Sequence, residues 1–279
     1  MIERTLISAE SLLALLAAAK PCVLLDCGFD LADPAAGARA FAQGHLPGAR
    51  YADLDNDLSA PRNGRNGRHP LPTREVFAAT VARWGVRPGV PVVCYDDQGG
   101  PYAARAWWML RWLGHDEVAV LDGGRAAWLG AGGRLDAAPA AAPDSAAPYP
   151  LSDATMPSVP TESLLALLGK LTVLDARSAE RFRGEVEPLD PVAGRIPGAR
   201  NRFHKDNLRP DGRFRSATEL RAAFEVFGEP TACVHQCGSG VTACHNLLAM
   251  EYAGLTGSAL YPGSWSEWCA DPSRPVARG

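Results

Sequence analysis

Apolar positions along the chain fall into two kinds of run. Short blocks at 22–25, 91–95 and 118–121 are almost continuously apolar, rich in valine and leucine, and bounded by proline, glycine or aspartate. Blocks of that length and composition predict strands buried on both faces. Between them, 11–19, 73–84 and 103–113 carry apolar residues at three- and four-residue spacing, which predicts helices. The alternation of the two predicts an α/β fold, a mainly parallel sheet with helices on both faces. Near the end of the chain 231–236 reads as another strand and 243–250 as the helix after it. Ligands of such sheets gather beyond the carboxyl ends of the strands, so the junction between these two segments is the place to look for chemistry.

The pattern occurs twice. Leu46-Pro47-Gly48-Ala49-Arg50 recurs as Ile196-Pro197-Gly198-Ala199-Arg200, and Leu24-Leu25-Asp26 as Val173-Leu174-Asp175. Asp122-Gly123-Gly124 with Trp128 recurs as Pro262-Gly263-Ser264 with Trp268, and the order of the three motifs is kept. One unit is therefore repeated, which predicts tandem domains over 1–135 and 158–279. The stretch between them, 136–157, is too rich in Ala, Pro and Gly to build a core and reads as a linker. With 279 residues, 47% of them hydrophobic, the chain can fill two cores.

Composition narrows the function classes. A net charge of −3 gives no reason to expect nucleic-acid binding, and no apolar run is long enough to span a membrane. The run 12–19 is flanked by Glu3, Arg4 and Glu10 and leads into the first strand, so it reads as a structural helix and not as a signal segment. Seven cysteines, odd in number and scattered singly, read as reduced thiols and favour a cytoplasmic location. Trp107, Trp108 and Trp112 read as core against the sheet, and Trp265 and Trp268 as closing the last helix. The arginine-rich stretch 62–68 reads as a solvated surface turn, or else as a rim that attracts an anion.

The candidate chemistry lies at Cys237, where a strand gives way to a helix. Gly238 and Gly240 permit backbone angles closed to other residues, so loop N–H groups can turn toward the sulfur. Together with the positive end of the following helix they favour an anion, which predicts a reactive thiolate. A phosphatase-like loop would carry an arginine six positions on, where this chain has Ala243. Cys233, His235, Cys237, Cys244 and His245 are all zinc-ligand types, but their spacing matches no zinc pattern, and no metal is expected. In the first repeat Asp96 stands where Cys237 stands in the second. A carboxylate cannot stand in for a thiolate nucleophile, so the first domain is expected to be catalytically silent.

These motifs resemble the rhodanese superfamily, and more narrowly its two-domain thiosulfate and 3-mercaptopyruvate sulfurtransferases. The carriers are the loop Cys237-Gly238-Ser239-Gly240-Val241-Thr242, Asp175-Ala176-Arg177, Arg181-Phe182-Arg183-Gly184, Ile196-Pro197-Gly198-Ala199 and Pro262-Gly263-Ser264-Trp265-Ser266-Glu267-Trp268. The uncharged loop is similar to the mercaptopyruvate-type branch. The resemblance implies two tandem rhodanese-like domains, no cofactor, and transfer of a sulfane sulfur from 3-mercaptopyruvate through a persulfide on Cys237 to a thiol or cyanide; a thioredoxin-like reductant is a candidate acceptor. Thiosulfate is the alternative donor, and a non-enzymatic persulfide carrier or redox module the alternative from another class.

The resemblance also assigns roles. Arg181 would anchor the donor carboxylate, its bland alternative being an ion pair with Glu185 or Glu187. Gly238, Gly240, Val241 and Thr242 would line the substrate, with Thr242 capping the helix. Ser239, His69 and Asp55 would form a proton relay, although Asp53 and Asp57 lie close enough in sequence to compete with Asp55. Relatives of the mercaptopyruvate type carry a second anchoring arginine where this chain has Leu189 and Asp190 after Glu187-Pro188; Arg183 and Arg195 are the candidate replacements. The silent domain would shape one wall of a cleft.

Overall fold

In the computed structural model, which describes residues 4–138, 140 and 147–279, the first half runs β1 (Leu6–Ile7), α1 (Ala9–Ala17), β2 (Val23–Asp26), α2 (Ala36–Gln43), β3 (Arg50–Tyr51), α3 (Arg74–Arg83), β4 (Val92–Tyr95), α4 (Pro101–Leu113), β5 (Val118–Leu121) and α5 (Gly124–Gly130). The second runs α6 (Thr161–Ala166), β6 (Thr172–Asp175), α7 (Ala179–Arg183), β7 (Arg200–Asn201), α8 (Ala217–Glu225), β8 (Cys233–Gln236), α9 (Thr242–Tyr252), β9 (Ala259–Leu260) and α10 (Ser264–Trp268). Strand and helix alternate as the apolar pattern requires. The linker expected over 136–157 lies partly outside the described residues.

Two compact units result, and neither is a continuous stretch of chain. The first comprises Met1–Ser59, Pro72–Thr155 and Pro210–Arg213; the second comprises Ala60–Leu71, Met156–Arg209 and Phe214–Gly279. Residues 60–71, which precede the second repeat by most of a domain, thus pack with it, and His69 goes with them.

In the first unit five parallel strands stand in the order β1-β5-β4-β2-β3. Leu24, Val93, Tyr95, Ala119 and Leu121 bury one face against Leu12 of α1 and Trp128 of α5. The alternate residues Val92, Cys94, Val118 and Val120 are buried on the other face, beside α4. Trp107 and Trp108 of α4 are fully buried, while Trp112 is only half-buried and stacks on Trp108 with ring centroids 5.9 Å apart.

The second unit holds four parallel strands in the order β7-β6-β8-β9. Val173 and Val234 face Leu164, Trp265 and Trp268. β8 starts later than its apolar pattern suggests, because Pro230 opens a 3-10 turn, Pro230–Ala232, that takes up the first two residues of the expected strand. The opposite face of β8 presents His235, fully buried against α9 and with its ring 6.3 Å from that of Phe224 in α8.

Burial pushes the His235 imidazole down to about 3, and its Nε2 meets the Met250 sulfur at 3.1 Å. In the unfolded chain the same ring binds a proton near its ordinary value of 6.5. His235 therefore withdraws stability as pH falls from about 6.5 toward about 3, by about 1.4 kcal/mol per pH unit. Replacing it, His235→Leu, is expected to flatten the pH dependence of the denaturation midpoint across that window by about one bound proton. An unchanged slope would mean that the ring is charged in the folded state.

Candidate active site

β8 delivers Cys237 to its carboxyl end, where the residue is 2% exposed. The loop that follows is sewn to the start of α10. Cys237 N–H donates to Ser264 Oγ at 3.1 Å, while Cys237 O and Gly238 O accept from the N–H groups of Trp265 and Ser266 at 3.0 and 2.9 Å. The two loop glycines are required for different reasons. Gly240 takes φ +77°, and a Cβ there would stand 3.1 Å from Pro262 Cα, so both the backbone angle and the space demand glycine. Gly238 has no left-handed backbone; what a Cβ would meet there is the Nη2 of Arg68, at 2.7 Å. Val241, buried, occupies the N-cap of α9 without a side-chain capping bond, and Thr242 is the first helical residue. The expected capping by Thr242 is therefore absent: the tight turn at Gly240 starts the helix one residue too early for the threonine to cap it.

A second piece of chain docks on this loop. Gly67, at φ +81°, brings its backbone against Gly263, where a Cβ would stand 3.0 Å from the Gly263 oxygen. Arg68 N–H donates to Ser266 Oγ at 3.1 Å, and His69 Nδ1 lies 2.8 Å from Ser239 Oγ. His69 is 2% and Ser239 6% exposed, so the pair is screened from bulk water. The histidine is thus no exposed loop residue. Asp55 lies in the first unit, within Met1–Ser59. Its two rivals are committed locally: Asp53 accepts the N–H groups of Asp55 and Asn56 at 2.8 Å, and Asp57 pairs with Arg83 at 2.9 Å.

Beside the loop runs an alternating chain of charges. Asp175 binds Arg177 at 2.7 Å, Arg177 binds Glu187 at 3.2 Å, Glu187 binds Arg181 at 2.6 Å, Arg181 reaches Asp190 at 3.3 Å, and Asp190 binds Arg68. The three carboxylates are at most 3% exposed, as is Arg177; Arg181 and Arg68 keep 18% and 20% of their side-chain surface. Burial opposes the Arg177 charge, but Asp175, Glu187 and Cys237 together hold it above the ordinary arginine value. Burial raises the Asp190 carboxyl above the usual range against the pull of Arg68.

The positions following Glu187-Pro188 therefore supply a carboxylate that organises guanidinium groups, not a guanidinium of their own. Neither candidate replacement stands at the loop. Arg183 pairs with exposed Glu185 at 2.7 Å, and Arg195 lies over the Phe182 ring at 4.7 Å with Nη1 on Gly279 O. An arginine that does reach the loop is Arg68, from the stretch read as a solvated turn or else as a rim that attracts an anion. Its sequence signals were that run of arginines and the neighbouring His69. Arg181 makes the ion pair with Glu187 that its bland reading expected, and its Nη1 and Nη2 stand 3.5 Å from the Cβ position of Gly238.

The zinc-type residues are dispersed. His235 meets Met250, and His245 stacks on Phe214 with centroids 4.5 Å apart and contacts the Asn207 side chain at 3.1 Å. Among the described residues no group of three or more His, Cys, Asp or Glu side chains is arranged to hold a metal.

The first unit displays what the same loop does with an internal anion. The Asp96 carboxylate accepts the N–H groups of Gln98 and Gly100 on one oxygen and of Tyr102 and Ala103 on the other, at 2.8–3.0 Å. The loop is an anion cradle, and in this unit its own side chain fills it. A cavity of about 580 Å³ nearby, lined by Asp97, Gly123, Arg125, Leu129 and Asp211, contains no nucleophile.

Comparison with known proteins agrees with this geometry. The model of the Rhodanese-like domain family matches residues 8–131 and again 161–271. A Pseudomonas aeruginosa protein named "Probable 3-mercaptopyruvate sulfurtransferase" is 49% identical over the full length of both chains. A Mycobacterium tuberculosis protein, provisionally named a thiosulfate sulfurtransferase, is 41% identical over 99% of this chain and 98% of its own. Among solved structures, the 3-mercaptopyruvate sulfurtransferase from Leishmania major superposes with a TM-score of 0.84 at 32% identity, covering 95% of this chain and 74% of that one.

Proposed function

The chain belongs to the rhodanese-like domain family, and from that premise we propose that it is a sulfurtransferase whose donor is 3-mercaptopyruvate. The Cys237 thiolate attacks the donor sulfur, forming an S–S bond as the C–S bond breaks. The electron pair of that bond passes to carbon, so the leaving group is the enolate of pyruvate, which must take up one proton. His69, through Ser239, is the source of that proton. A thiol or cyanide then removes the outer sulfur and returns the Cys237 thiolate. No step calls for a cofactor.

The observation that carries the choice of donor is the 2.8 Å pairing of His69 with Ser239, one residue beyond Gly238. An enolate needs a proton as it leaves, whereas the sulfite released from thiosulfate does not. Burial of Cys237 also favours a small donor over a docking protein, and so disfavours a mere persulfide carrier. The cysteines are all free thiols, in keeping with a reducing compartment such as the cytoplasm; no helix among the described residues is long and apolar enough to cross a membrane.

Thiosulfate remains the second reading, favoured by two guanidinium groups over Gly238 and by the name of the mycobacterial relative. Steady-state kinetics with each donor and cyanide as acceptor distinguish the two. We expect the higher kcat/KM with 3-mercaptopyruvate, by tenfold or more, the discrimination on the order of one well-placed charged hydrogen bond. A preference for thiosulfate would overturn the assignment.

A further inference from the structure

Arg181 has little of its fork left for a substrate. Its Nε and Nη2 donate to the two oxygens of Glu187 at 3.2 and 2.6 Å, and Nη2 also reaches Asp190. One edge that could grip a carboxylate with two parallel bonds, Nε with Nη2, is occupied by a carboxylate of the protein itself, which leaves Nη1. A second donor beside Nη1 would firm the hold on a substrate anion.

Arg68 is built into that place. Its backbone N–H is fixed on Ser266, the residue after it is fixed on Ser239, and its Nη1 is held by the buried Asp190. Its Nη2 stands 2.7 Å from the point where a side chain on Gly238 would begin, and the Arg181 nitrogens stand 3.5 Å from the same point. The buried Nε of Arg68 has no hydrogen-bond partner. Two guanidinium groups thus converge beside the nucleophile, and Asp190 touches both.

We propose that Arg68 is the second anion anchor of this site, sharing the donor carboxylate with Arg181, and that Asp190 is the spacer that aims the two guanidinium groups at one point over Gly238. The proposal rests on the reading of the protein as a sulfurtransferase for a small carboxylate donor. Glu187 and Asp190 offset most of the added positive charge, which suits a donor with one negative charge better than one with two.

The test compares wild type with Arg68→Gln, Arg68→Lys and the double variant Arg68→Gln/Asp190→Asn, reading KM and kcat for 3-mercaptopyruvate and the inhibition constant of pyruvate, which keeps the carboxylate and lacks the sulfur. Arg68→Gln should raise both KM and the pyruvate constant by about tenfold or more, with kcat moving much less, as expected for loss of a charge-assisted bond made in the ground state. Lysine, keeping the charge without the fork, should recover part of the loss. The double variant keeps a hydrogen-bonded pair where the ion pair was, and should remain as weak as Arg68→Gln. Return of the double variant to wild-type KM would reduce Arg68 to a structural partner of Asp190, and an unchanged KM in Arg68→Gln and Arg68→Lys would remove it from the site; either overturns the proposal. Wild-type persulfide formation is measured alongside. Its absence with every donor would defeat the sulfurtransferase reading itself, whereas its presence with unmoved KM values would defeat only the anchor.

Discussion

Cys237→Ser should lose sulfur transfer from every donor while keeping its fold. A hydroxyl is a far poorer nucleophile toward sulfur than a thiolate, and the exchange is nearly isosteric at a position only 2% exposed. The backbone bonds that tie residue 237 to Ser264 and Trp265 do not involve the sulfur, so the loop should hold its shape. A buried hydroxyl without a full set of partners costs on the order of 1–2 kcal/mol, which a denaturation midpoint would register without loss of the native state. Wild type incubated with donor and no acceptor should gain the mass of one sulfur on the peptide containing Cys237, and the variant should gain none. Turnover above a few per cent in the variant, roughly what trace wild-type contamination supplies, would place the nucleophile elsewhere.

The second large effect is expected at His69. His69→Ala should slow turnover of 3-mercaptopyruvate on the order of a hundredfold, the usual contribution of one positioned proton donor. Thiosulfate turnover should change by less than about threefold, because no carbon base leaves in that reaction. Ser239→Ala should reproduce the pattern, and the double variant should be little worse than either single one, since two groups that pass one proton act as a unit. Because His69 is buried, His69→Asn serves as the control: it fills much of the space and keeps a bond to Ser239 without supplying the proton. Equal small losses with both donors would make His69 a packing residue and leave solvent as the proton source.

Much of the architecture was legible because it depends on near neighbours in sequence. Continuous apolar blocks became fully buried parallel strands, and Val118–Leu121 matches its block end to end. Helix ends moved by one or two residues: α3 is one residue shorter than its pattern at each end, whereas Pro101, with its fixed backbone angle, starts α4 ahead of the first periodic residue. What was not legible depends on long-range contacts. His235 in β8 is a core histidine only because α8 and α9 cover it, which no near neighbour specifies. Arg68, in a stretch of Asn, Gly and Arg, has every mark of a solvated turn, and nothing within ten residues hints that Asp190 will bind it.

What the sequence by itself determined was the repeat, the alternation of strand and helix, and the placing of the candidate cysteine at the end of a strand, since each is set by residue spacing and by the backbone freedom of glycine. Tertiary structure alone decided the company that cysteine keeps. His69 meets Ser239 across 170 residues of chain and Arg68 meets Asp190 across 122, in a unit assembled from discontinuous segments. Periodicity reports which face of an element is buried. It carries no information on which distant charge or hydroxyl lies opposite, because that is fixed only when the packed units bring separate segments together and leave each buried polar group to be satisfied by whatever stands within reach.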